Sequence, residues 1–345
     1  MKNARHSSGD AAPPQSSSLR SRRGWGAGIA ALAAAGSAAA LYNYRRAKAA
    51  EQDNPALGSF IEIDGVPLHY IERGEGPPVV LLHGNGTMIQ DWIAAGVFDE
   101  LTKTRRVIAF DRPGFGHSAR PRSTIWTPAA QARLIAQALE KLRVEDAVVI
   151  GHSFGTLVTI ALALDHRPAV GGIVLIGGYF YPSARADVLL GAQPAVPGVG
   201  DVLRYTISPL LGAALRPRIN AKLFRPAPVS EGWRERFPME MALRPSQIRA
   251  EAAEAAIMIP AAAGLAKRYD ELTLPVTIVA GAGDRIVDIG DQSRRLHKSL
   301  PQSRFVEIDG AGHMVHHTAS QAIVDAIEEC LVAPHNLSAD AEAAP

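Results

Sequence analysis

The sequence lacks several features that would assign it to a simple class. Cys330 is the only cysteine among 345 residues, which excludes an intramolecular disulfide and a cysteine-rich metal site. The 36 basic residues nearly balance the 34 acidic ones, for a net charge of +2, so no overall field favours nucleic acid as a partner. Neither an internal repeat nor a heptad run is present. With 47% hydrophobic and 20% charged residues, the composition is typical of a globular body with a well-filled core.

The first 58 residues differ from the rest of the chain. Residues 1–23 are polar and basic, which predicts a disordered arm. Residues 24–44, GWGAGIAALAAAGSAAALYNY, form a run of 21 residues without a charge. That length is enough for a helix to cross a hydrocarbon layer of about 30 Å. We therefore expect a membrane anchor at 24–44, followed by a linker at 45–58.

The charges beside residues 24–44 favour one orientation of such an anchor. Five basic residues precede the run and three follow it, which places the N-terminus in the cytoplasm and the body outside it. The expected location is a bacterial inner membrane, held by a single N-terminal span. Two alternatives stay open. The sequence SRRGW at Ser21–Trp25 also suits a cleaved twin-arginine export signal and a periplasmic enzyme, and the run could be a plain Ala-rich arm.

From Ser59 onward, apolar β-branched runs alternate with helical spacing. Helices are expected over Gln90–Thr102, from a Thr127 cap through Leu142, after Ser153, and near the chain end. This alternation predicts a mostly parallel eight-stranded sheet with helices on both faces. The expected strands are SFIEID, GVPLHYIERG, PPVVLLHGNG, RRVIAFDRPGFG, DAVVIG, VGGIVLIGG, LPVTIVAGAGD and SRFVEIDGAGH.

The alternation is interrupted once. Residues 179–271 show no clear strand but many Ala/Leu/Arg segments of helical type. We expect a helical insertion there, placed after one strand of the sheet and before the next. The core is then formed by 59–178 and 272–331, and residues 332–345 are expected to be a disordered tail.

Ser153 is the candidate nucleophile. It lies in GHSFG, between an apolar strand and an apolar helix, and Gly151 and Gly155 leave room for the sharp turn of a nucleophile elbow. An acid and a histidine must follow in that order. Asp284 follows the strand VTIVAG, and His313 follows the strand RFVEID. All three side chains would leave the carboxyl ends of parallel strands, where open α/β sheets place their ligands.

A serine hydroxyl needs an imidazole to take its proton and a carboxylate to orient that imidazole. The tetrahedral intermediate also needs two N–H donors for its oxyanion. The backbone amides of Asn85, on the loop after HG, and of Phe154, at a helix start, are the candidates.

These motifs resemble the α/β-hydrolase superfamily, in its serine-nucleophile branch of esterases and lipases. The resemblance covers Ser59 to about Leu331 and rests on HGNG (83–86), DRPGFGHS (111–118), GHSFG (151–155), GAGD (281–284) and GAGH (310–313). It implies a triad of Ser153, Asp284 and His313, an α/β-hydrolase fold whose 179–271 insertion is a helical cap, and no cofactor. Haloalkane dehalogenases and epoxide hydrolases of this superfamily carry aspartate where this chain has Ser153. Serine-dependent C–C hydrolases usually carry a Gly-Pro-Gly run that HGNGTMI lacks.

Other polar residues have simpler interpretations. Asp288 rivals Asp284 as the acid but lies further from the strand end. His313, His316 and His317 could suggest a metal, yet no convincing fourth ligand accompanies them, so no metal is expected. His83 and His152 are expected to shape turns, and Asp111 with Arg112 to form a turn-fixing pair.

The expected function is hydrolysis of an apolar carboxylic ester, or a related acyl compound, through an acyl-enzyme. The same triad would also suit a cofactor-free perhydrolase or a C–C bond hydrolase. A third possibility is a ligand-binding module on a hydrolase scaffold without activity. The expected partners are a small apolar acyl substrate and a membrane, the latter through residues 24–44.

Overall fold

The structure is a computed structural model and describes residues 17–184 and 191–342. Its centre is one eight-stranded sheet with the order β1-β2-β4-β3-β5-β6-β7-β8. β2 is antiparallel to both of its neighbours, and every pair from β4 to β8 is parallel. The predicted mostly parallel sheet of eight strands is confirmed. The strands are β1 Ser59–Ile63, β2 Val66–Arg73, β3 Pro78–Leu82, β4 Arg106–Phe110, β5 Ala147–His152, β6 Val170–Ile176, β7 Val276–Gly281 and β8 Arg304–Ile308.

Helices cover both faces of this sheet. The α-helices are α1 Ser17–Asp53, α2 Gln90–Ala94, α3 Val97–Leu101, α4 Pro128–Lys141, α5 Phe154–Asp165, α6 Val199–Thr206, α7 Ser208–Phe224, α8 Glu231–Arg236, α9 Met239–Ala242, α10 Pro245–Leu265, α11 Arg295–Ser299, α12 Val315–Thr318 and α13 Ser320–Glu342. Short 3-10 turns lie at Arg167–Ala169, Gln193–Ala195 and Tyr269–Glu271, and a π turn at Gly290–Arg294 precedes α11.

The side chains of β3 alternate between the two faces of the sheet and show which helices each face packs against. Val80 and Leu82 belong to the core that contains α4 and α5. Val79 and Leu81 point the other way, into the core that contains α2, α3 and α13. Because successive side chains of a strand point to opposite faces, a strand buried on both sides must be apolar throughout. The continuous apolar runs of the sequence therefore become the inner strands.

Local sequence signals determine where two of the helices begin and end. Thr127 accepts a hydrogen bond from the Ala130 N–H at 3.1 Å, and Pro128 opens α4, as the sequence predicts. The single helix expected over Gln90–Thr102 is instead two short helices. Gly96 separates them with a φ of 78°, a left-handed conformation that glycine adopts without steric cost.

The segment between β6 and β7 is helical where the structure describes it. We call residues 179–184 and 191–271 the cap segment; it contains α6 to α10. Its stacked pair Trp233 and Phe237, with ring centroids 3.9 Å apart, packs in a small apolar cluster with Met241 and Phe224, and this cluster also contains Ala50, Met88 and Met314 from outside the cap segment. The cap segment is thus packed against α1 and two loops of the core, and it contributes to the wall of the cavity described below.

The N-terminal expectations need correction. No helix in the described part of the chain combines the length and the apolar character needed to span a membrane, so the predicted single span at 24–44 is wrong, and so is the membrane-anchored location based on it. The physical reason is composition, because Ala and Gly contribute little to insertion compared with Leu or Ile. The same residues lie within α1.

α1 also replaces part of the expected arm and linker. Residues 1–16 of the expected disordered arm lie outside the described residues, whereas 17–23 are helical and α1 continues to Asp53, through most of the expected linker 45–58. The end of α1 contacts the cap segment: Asn43 Nδ2 donates to the carbonyls of Tyr205 and Thr206 at 2.9 and 2.8 Å. At the other terminus, α13 reaches Glu342, so residues 332–342 are helical where a disordered tail was expected.

Replacing Gly155 by alanine tests how tightly α5 packs on the sheet. A Cβ at this position would lie 2.5 Å from the Leu82 carbonyl oxygen and 2.6 Å from that of His83. We expect Gly155→Ala to lower the free energy of unfolding by about 1–3 kcal/mol, because backbone must move. Urea denaturation measures the change. Gly264→Ala, in α10 with no atom within 4 Å of the added Cβ, is the control and should be neutral or stabilising by up to about 1 kcal/mol. Equal effects of the two variants would contradict the packing described.

Candidate active site

The structure brings Ser153, Asp284 and His313 together at one edge of the sheet. Ser153 follows β5 directly and begins α5, Asp284 follows β7, and His313 follows β8. The His313 Nε2 atom lies 3.1 Å from the Ser153 hydroxyl, and its Nδ1 atom lies 2.8 Å from the Asp284 carboxylate. Three side chains up to 160 positions apart thus form one continuous chain of hydrogen bonds.

The backbone at Ser153 is strained. Its φ is 52° and its ψ is −118°, a region that residues other than glycine rarely occupy. Close packing holds this turn in place. A Cβ at Gly151 would lie 2.5 Å from the Thr159 hydroxyl, because α5 turns back very close to β5. This conformation raises the hydroxyl above the end of the sheet.

Asp284 is an ionised acceptor. Burial acts to raise its pKa, but His313 and the N–H groups of Ile286 and Val287 outweigh burial and hold the pKa below its ordinary value. The two amides lie 2.8 and 3.1 Å from one carboxylate oxygen, which leaves the other for His313. An acceptor at Nδ1 requires the proton there, so Nε2 is free to accept from the Ser153 hydroxyl.

The rival acid, Asp288, has a different environment. Its side chain is exposed, and its carboxylate accepts the N–H of Asp291 at 2.8 Å. It caps the turn before α11 and has no hydrogen bond to His313 among the described contacts.

The loop after β3 comes close to the nucleophile. A Cβ at Gly84 would lie 3.2 Å from the Ser153 Cβ and 2.8 Å from His152 Nδ1, so only glycine leaves the backbone room to approach. Asn85 follows and lines the same cavity as Ser153 and His313. Phe154 is fully buried, and as the first residue of α5 its N–H precedes the intrahelical hydrogen bonds. Both predicted oxyanion residues therefore lie beside Ser153.

A buried ion pair supports this loop from below. Arg112 donates to the carbonyls of His83 and Gly84 at 2.8 and 2.9 Å, and also to the Glu254 carboxylate of α10 at 2.5 and 3.0 Å. Both side chains of the ion pair are fully buried, and Gln131 bonds to each of them. Arg112 was expected to pair with Asp111; instead it joins the loop to the cap segment. No sequence pattern relates Arg112 to Glu254, 142 positions away.

Asp111 and His83 form a separate support. Asp111 accepts from His69 Nδ1 at 2.7 Å and from the amides of Ile89 and His117 at 2.9 Å. Burial, followed by Arg112, lowers the pKa of His83 to about 3, so its imidazole is neutral. His83 accepts the Arg112 N–H at 2.9 Å. Asp111 thus fixes the turn through His69, Ile89 and His117 and not through the expected pair with Arg112, and His83 holds the backbone of Arg112.

A second cluster of buried polar side chains lies behind the nucleophile and was missed in the sequence. Asp91 of α2 lies 3.0 Å from His316 Nε2 and 2.7 Å from His317 Nε2. The His152 ring lies between this cluster and His313, with ring centroids 4.3 Å from His316 and 5.1 Å from His313. Asp91 thus joins α2, the helix after the oxyanion loop, to α12, the short helix that follows His313.

Charge explains why this cluster is stable. Burial alone would raise the pKa of Asp91, but His316 and His317 hold it well below the ordinary value. Burial lowers the pKa of His317. It also lowers the pKa of His152, to well below its ordinary value. His317 accepts from the Ser230 hydroxyl of the cap segment at 3.2 Å through its other nitrogen.

Asp91, His152 and His316 are also the one described group whose ligand atoms lie close enough to consider a metal, within 4.8 Å of one another. One Asp91 oxygen already accepts from two imidazoles. We interpret the cluster as a hydrogen-bonded tie between loops.

A cavity of about 350 Å³ opens over Ser153 and His313. Its wall combines the oxyanion loop, the cap helices α7 and α10, Leu243 between α9 and α10, and the loop after β7. The apolar lining residues are Ile219, Leu223, Leu243, Ile248, Ala252, Ala255, Met258 and Ile286, and the polar ones include Asn85, Ser208, Arg216 and Glu251. The aromatic residues Trp233 and Phe237 of the cap segment do not line it; they pack in the apolar cluster described above.

Comparisons with known proteins agree with this arrangement. A family model described as "alpha/beta hydrolase fold" matches residues 77–320. A 2-hydroxymuconate semialdehyde hydrolase of Pseudomonas sp. (strain CF600) is 33% identical over 150 residues, 42% of this chain and 53% of that relative. The chain therefore matches about half the length of that protein.

Two further similarities extend over most of the chain. A 2-hydroxy-6-oxo-2,4-heptadienoate hydrolase of Pseudomonas putida is 26% identical over 284 residues, 81% of this chain and 98% of the relative. The crystal structure of an alpha/beta hydrolase fold protein from Burkholderia ambifaria superimposes with a TM-score of 0.66 at 21% identity, over 79% of this chain and 97% of that chain. The latter shows a shared fold.

Replacing Asp91 by asparagine tests the polar tie. Asp91→Asn removes the charge that accepts from His316 and His317, and we expect the free energy of unfolding at pH 7 to fall by roughly 1.5–3 kcal/mol. Because the pKa of Asp91 is lowered in the fold, its contribution exists above the unfolded value of about 3.9 and is lost as pH falls below it. Urea titrations at pH 7 and at about pH 2.5, well below the unfolded value, measure both effects.

The control for this variant is Asp99→Asn on α3, where the side chain is exposed. It should change stability by less than about 0.5 kcal/mol. If Asp91→Asn were as mild as this control, Asp91 would not hold the loops together.

Proposed function

Because the chain belongs to the alpha/beta hydrolase fold family, we propose that it is a serine hydrolase that cleaves an apolar carboxylic ester, or a related acyl compound, through an acyl-enzyme. The observation that carries this proposal is the hydrogen-bonded series from Asp284 through His313 to the Ser153 hydroxyl. It lies beneath a cavity with a mainly apolar wall, the environment that an acyl chain requires.

The reaction follows from the positions of these atoms. Ser153 Oγ attacks the substrate carbonyl carbon while His313 Nε2 takes the hydroxyl proton, and Asp284 stabilises the imidazolium that forms. The carbonyl oxygen becomes an oxyanion, and the N–H groups of Asn85 and Phe154 donate to it; one such donor contributes about 3–4 kcal/mol. His313 then protonates the leaving alcohol. A water molecule, deprotonated by His313, releases the acid and restores the serine.

The identity of the nucleophile favours acyl transfer. A serine forms an ester intermediate with an acyl group, whereas the aspartate of dehalogenases and epoxide hydrolases in this superfamily displaces a group at saturated carbon. In the proposed reaction the cap segment encloses the acyl group and excludes water. Residues 59–178 and 272–331 would be the catalytic core, with 179–271 as the cap domain.

One alternative on the same triad has specific support. Two relatives are named as hydrolases of 2-hydroxymuconate semialdehyde and of 2-hydroxy-6-oxo-2,4-heptadienoate, which favours C–C bond hydrolysis. The loop HGNGTMI of this chain lacks the Gly-Pro-Gly run usual in such enzymes, which favours the ester. A perhydrolase would use the same residues with hydrogen peroxide in place of water, and an inactive binding module would leave Ser153 unreactive.

Replacement of Ser153 tests the nucleophile. We expect Ser153→Ala to lower kcat for p-nitrophenyl esters by at least about 10⁴-fold, because the acyl-enzyme cannot form. A fluorophosphonate probe should add its mass to the wild-type protein once, and not to the variant. Ser208→Ala, which alters another serine of the same cavity, is the matched control and should keep the labelling and most of the activity. Labelling that persisted in Ser153→Ala would refute the proposal.

Substitution of the acid tests its role separately. Asp284→Asn should lower kcat by about 10⁴-fold, because an amide no longer favours the required tautomer of His313. Asp288→Asn, at the exposed rival acid, should lower kcat less than about 3-fold. Rates on short esters with and without hydrogen peroxide, and on a 2-hydroxy-6-oxo-dienoate, then separate the three chemistries. Ester hydrolysis would be contradicted if the dienoate were turned over faster than the esters, or if the reaction with hydrogen peroxide were faster than the reaction with water.

A further inference from the structure

Two ionisable side chains line the cavity and have no part in the mechanism above. Arg216 projects from α7 and Glu251 from α10, and both contribute to the wall that also contains Ser153, Asn85 and His313. Apart from Ser208, the other side chains that the cap helices α7 and α10 contribute to this wall are apolar. An apolar acyl chain alone would leave neither group a partner.

Arg216 has an unpaired donor. Its Nε atom is buried and has no hydrogen-bond partner, and no ion pair joins its guanidinium to any described carboxylate within 4.0 Å. Buried donors are almost always paired in folded proteins, because an unpaired one costs about 1–3 kcal/mol. The buried Nε–H of this half-buried side chain is therefore a donor to which an acceptor of negative charge would bind.

Glu251, on α10, is the second ionisable group that lines the cavity. Its carboxyl group faces the oxyanion loop, with its oxygens 3.3–3.4 Å from the point where a Cβ on Gly86 would lie. Burial raises the pKa of Glu251; Arg216 opposes this shift, and Glu254 adds to it. A raised pKa extends the pH range in which the carboxyl group carries a proton, and the protonated group can donate to an anion.

The position of Glu251 is fixed by its surroundings. The Asn85 side-chain amide donates to the Glu251 carbonyl at 3.2 Å. One turn further along α10, Glu254 is held in the buried pair with Arg112. The donor is thus attached to the same rigid part of the structure as the proposed oxyanion hole, whereas Arg216 lies on the other wall.

We propose that Arg216 and Glu251 form a subsite for a carboxylate carried by the substrate. This inference rests on the proposed ester hydrolysis at Ser153 and specifies its substrate: an ester with an apolar middle and a terminal carboxylate, such as a monoester of a dicarboxylic acid. The guanidinium supplies charge and two parallel N–H donors, the carboxylic acid supplies a third donor, and apolar residues such as Ile219 and Met258 contact the methylenes between.

Paired esters test the subsite. The p-nitrophenyl monoester of adipic acid carries the carboxylate, and p-nitrophenyl hexanoate is its neutral counterpart of the same length. We expect Arg216→Met to lower kcat/KM for the adipate ester by roughly 10- to 100-fold, the loss of a hydrogen bond to a charged group. The hexanoate ester should change less than about 3-fold. Arg218→Met, at an exposed arginine of the same helix, is the matched control and should affect neither ester.

The pH dependence tests Glu251. The charged or titratable groups facing it are Arg216 from α7, Glu254 on its own helix, and His313 across the cavity. As pH rises through the raised pKa, Glu251 loses its proton and repels a bound carboxylate, so KM for the adipate ester should rise while KM for hexanoate stays flat. Glu251→Gln keeps a donor without the titration, and should remove the pH-dependent rise.

A binding measurement separates this inference from the proposed reaction. Calorimetric titration of monomethyl adipate into Ser153→Ala should show binding at pH 6, and the double variant with Arg216→Met should bind at least about 10-fold more weakly. Equal binding by both variants, or an Arg216→Met effect that is the same on both esters, would overturn the subsite. If wild-type protein hydrolysed neither ester and the calorimetric difference remained, the ester reaction would fail and the subsite would stand.

Discussion

The left-handed backbone of Ser153 is the constraint on which the arrangement of the site depends. A residue with a side chain accepts this conformation only where the surrounding structure forces it. Here β5 and α5 approach so closely that Gly151 and Gly155 cannot carry a Cβ without meeting oxygen atoms of their neighbours. The energy stored in the turn is balanced by the packing of α5, in which ten residues are buried. The hydroxyl is therefore presented by the fold, independently of any substrate.

The partners of that hydroxyl are positioned by polar contacts that lie one layer deeper. Asp91 joins α2 to the loop after β8, and Arg112 joins the loop after β4 to the oxyanion loop and to α10. Each of these ties has fully buried members, where hydrogen bonds are strong and an unpaired group is costly. The three loops at this edge of the sheet therefore behave as one unit, so a change at Asp91 or Glu254 reaches the triad without touching it.

The sequence predicted the eight strands of the sheet and their places along the chain, because apolar runs and glycine turns are local signals. It also indicated Ser153, Asp284 and His313, since each follows a strand whose carboxyl end has a known position in a parallel sheet. The catalytic roles of these residues stay predictions. It did not indicate Asp91, Glu254 or Glu251, because a lone acid in a helix carries no sign of a partner more than a hundred positions away. The membrane span was wrong for another reason: the prediction rested on the length and the lack of charge of residues 24–44, a run built mostly from Ala and Gly, which contribute little to insertion.

The buried pair of Arg112 and Glu254 has a consequence for how the cavity can open. Moving α10 away from the core would leave the charges of Arg112 and Glu254 unpaired in an apolar interior, at a cost of about 3–5 kcal/mol. No buried ion pair among the described residues holds α7, and several of its apolar side chains, including Leu211 and Ile219, are exposed. The α10 wall of the cavity is thus held by a buried ion pair, and among the described residues the α7 wall is not. Opening of the cavity is therefore expected on the α7 side, the side that carries Arg216.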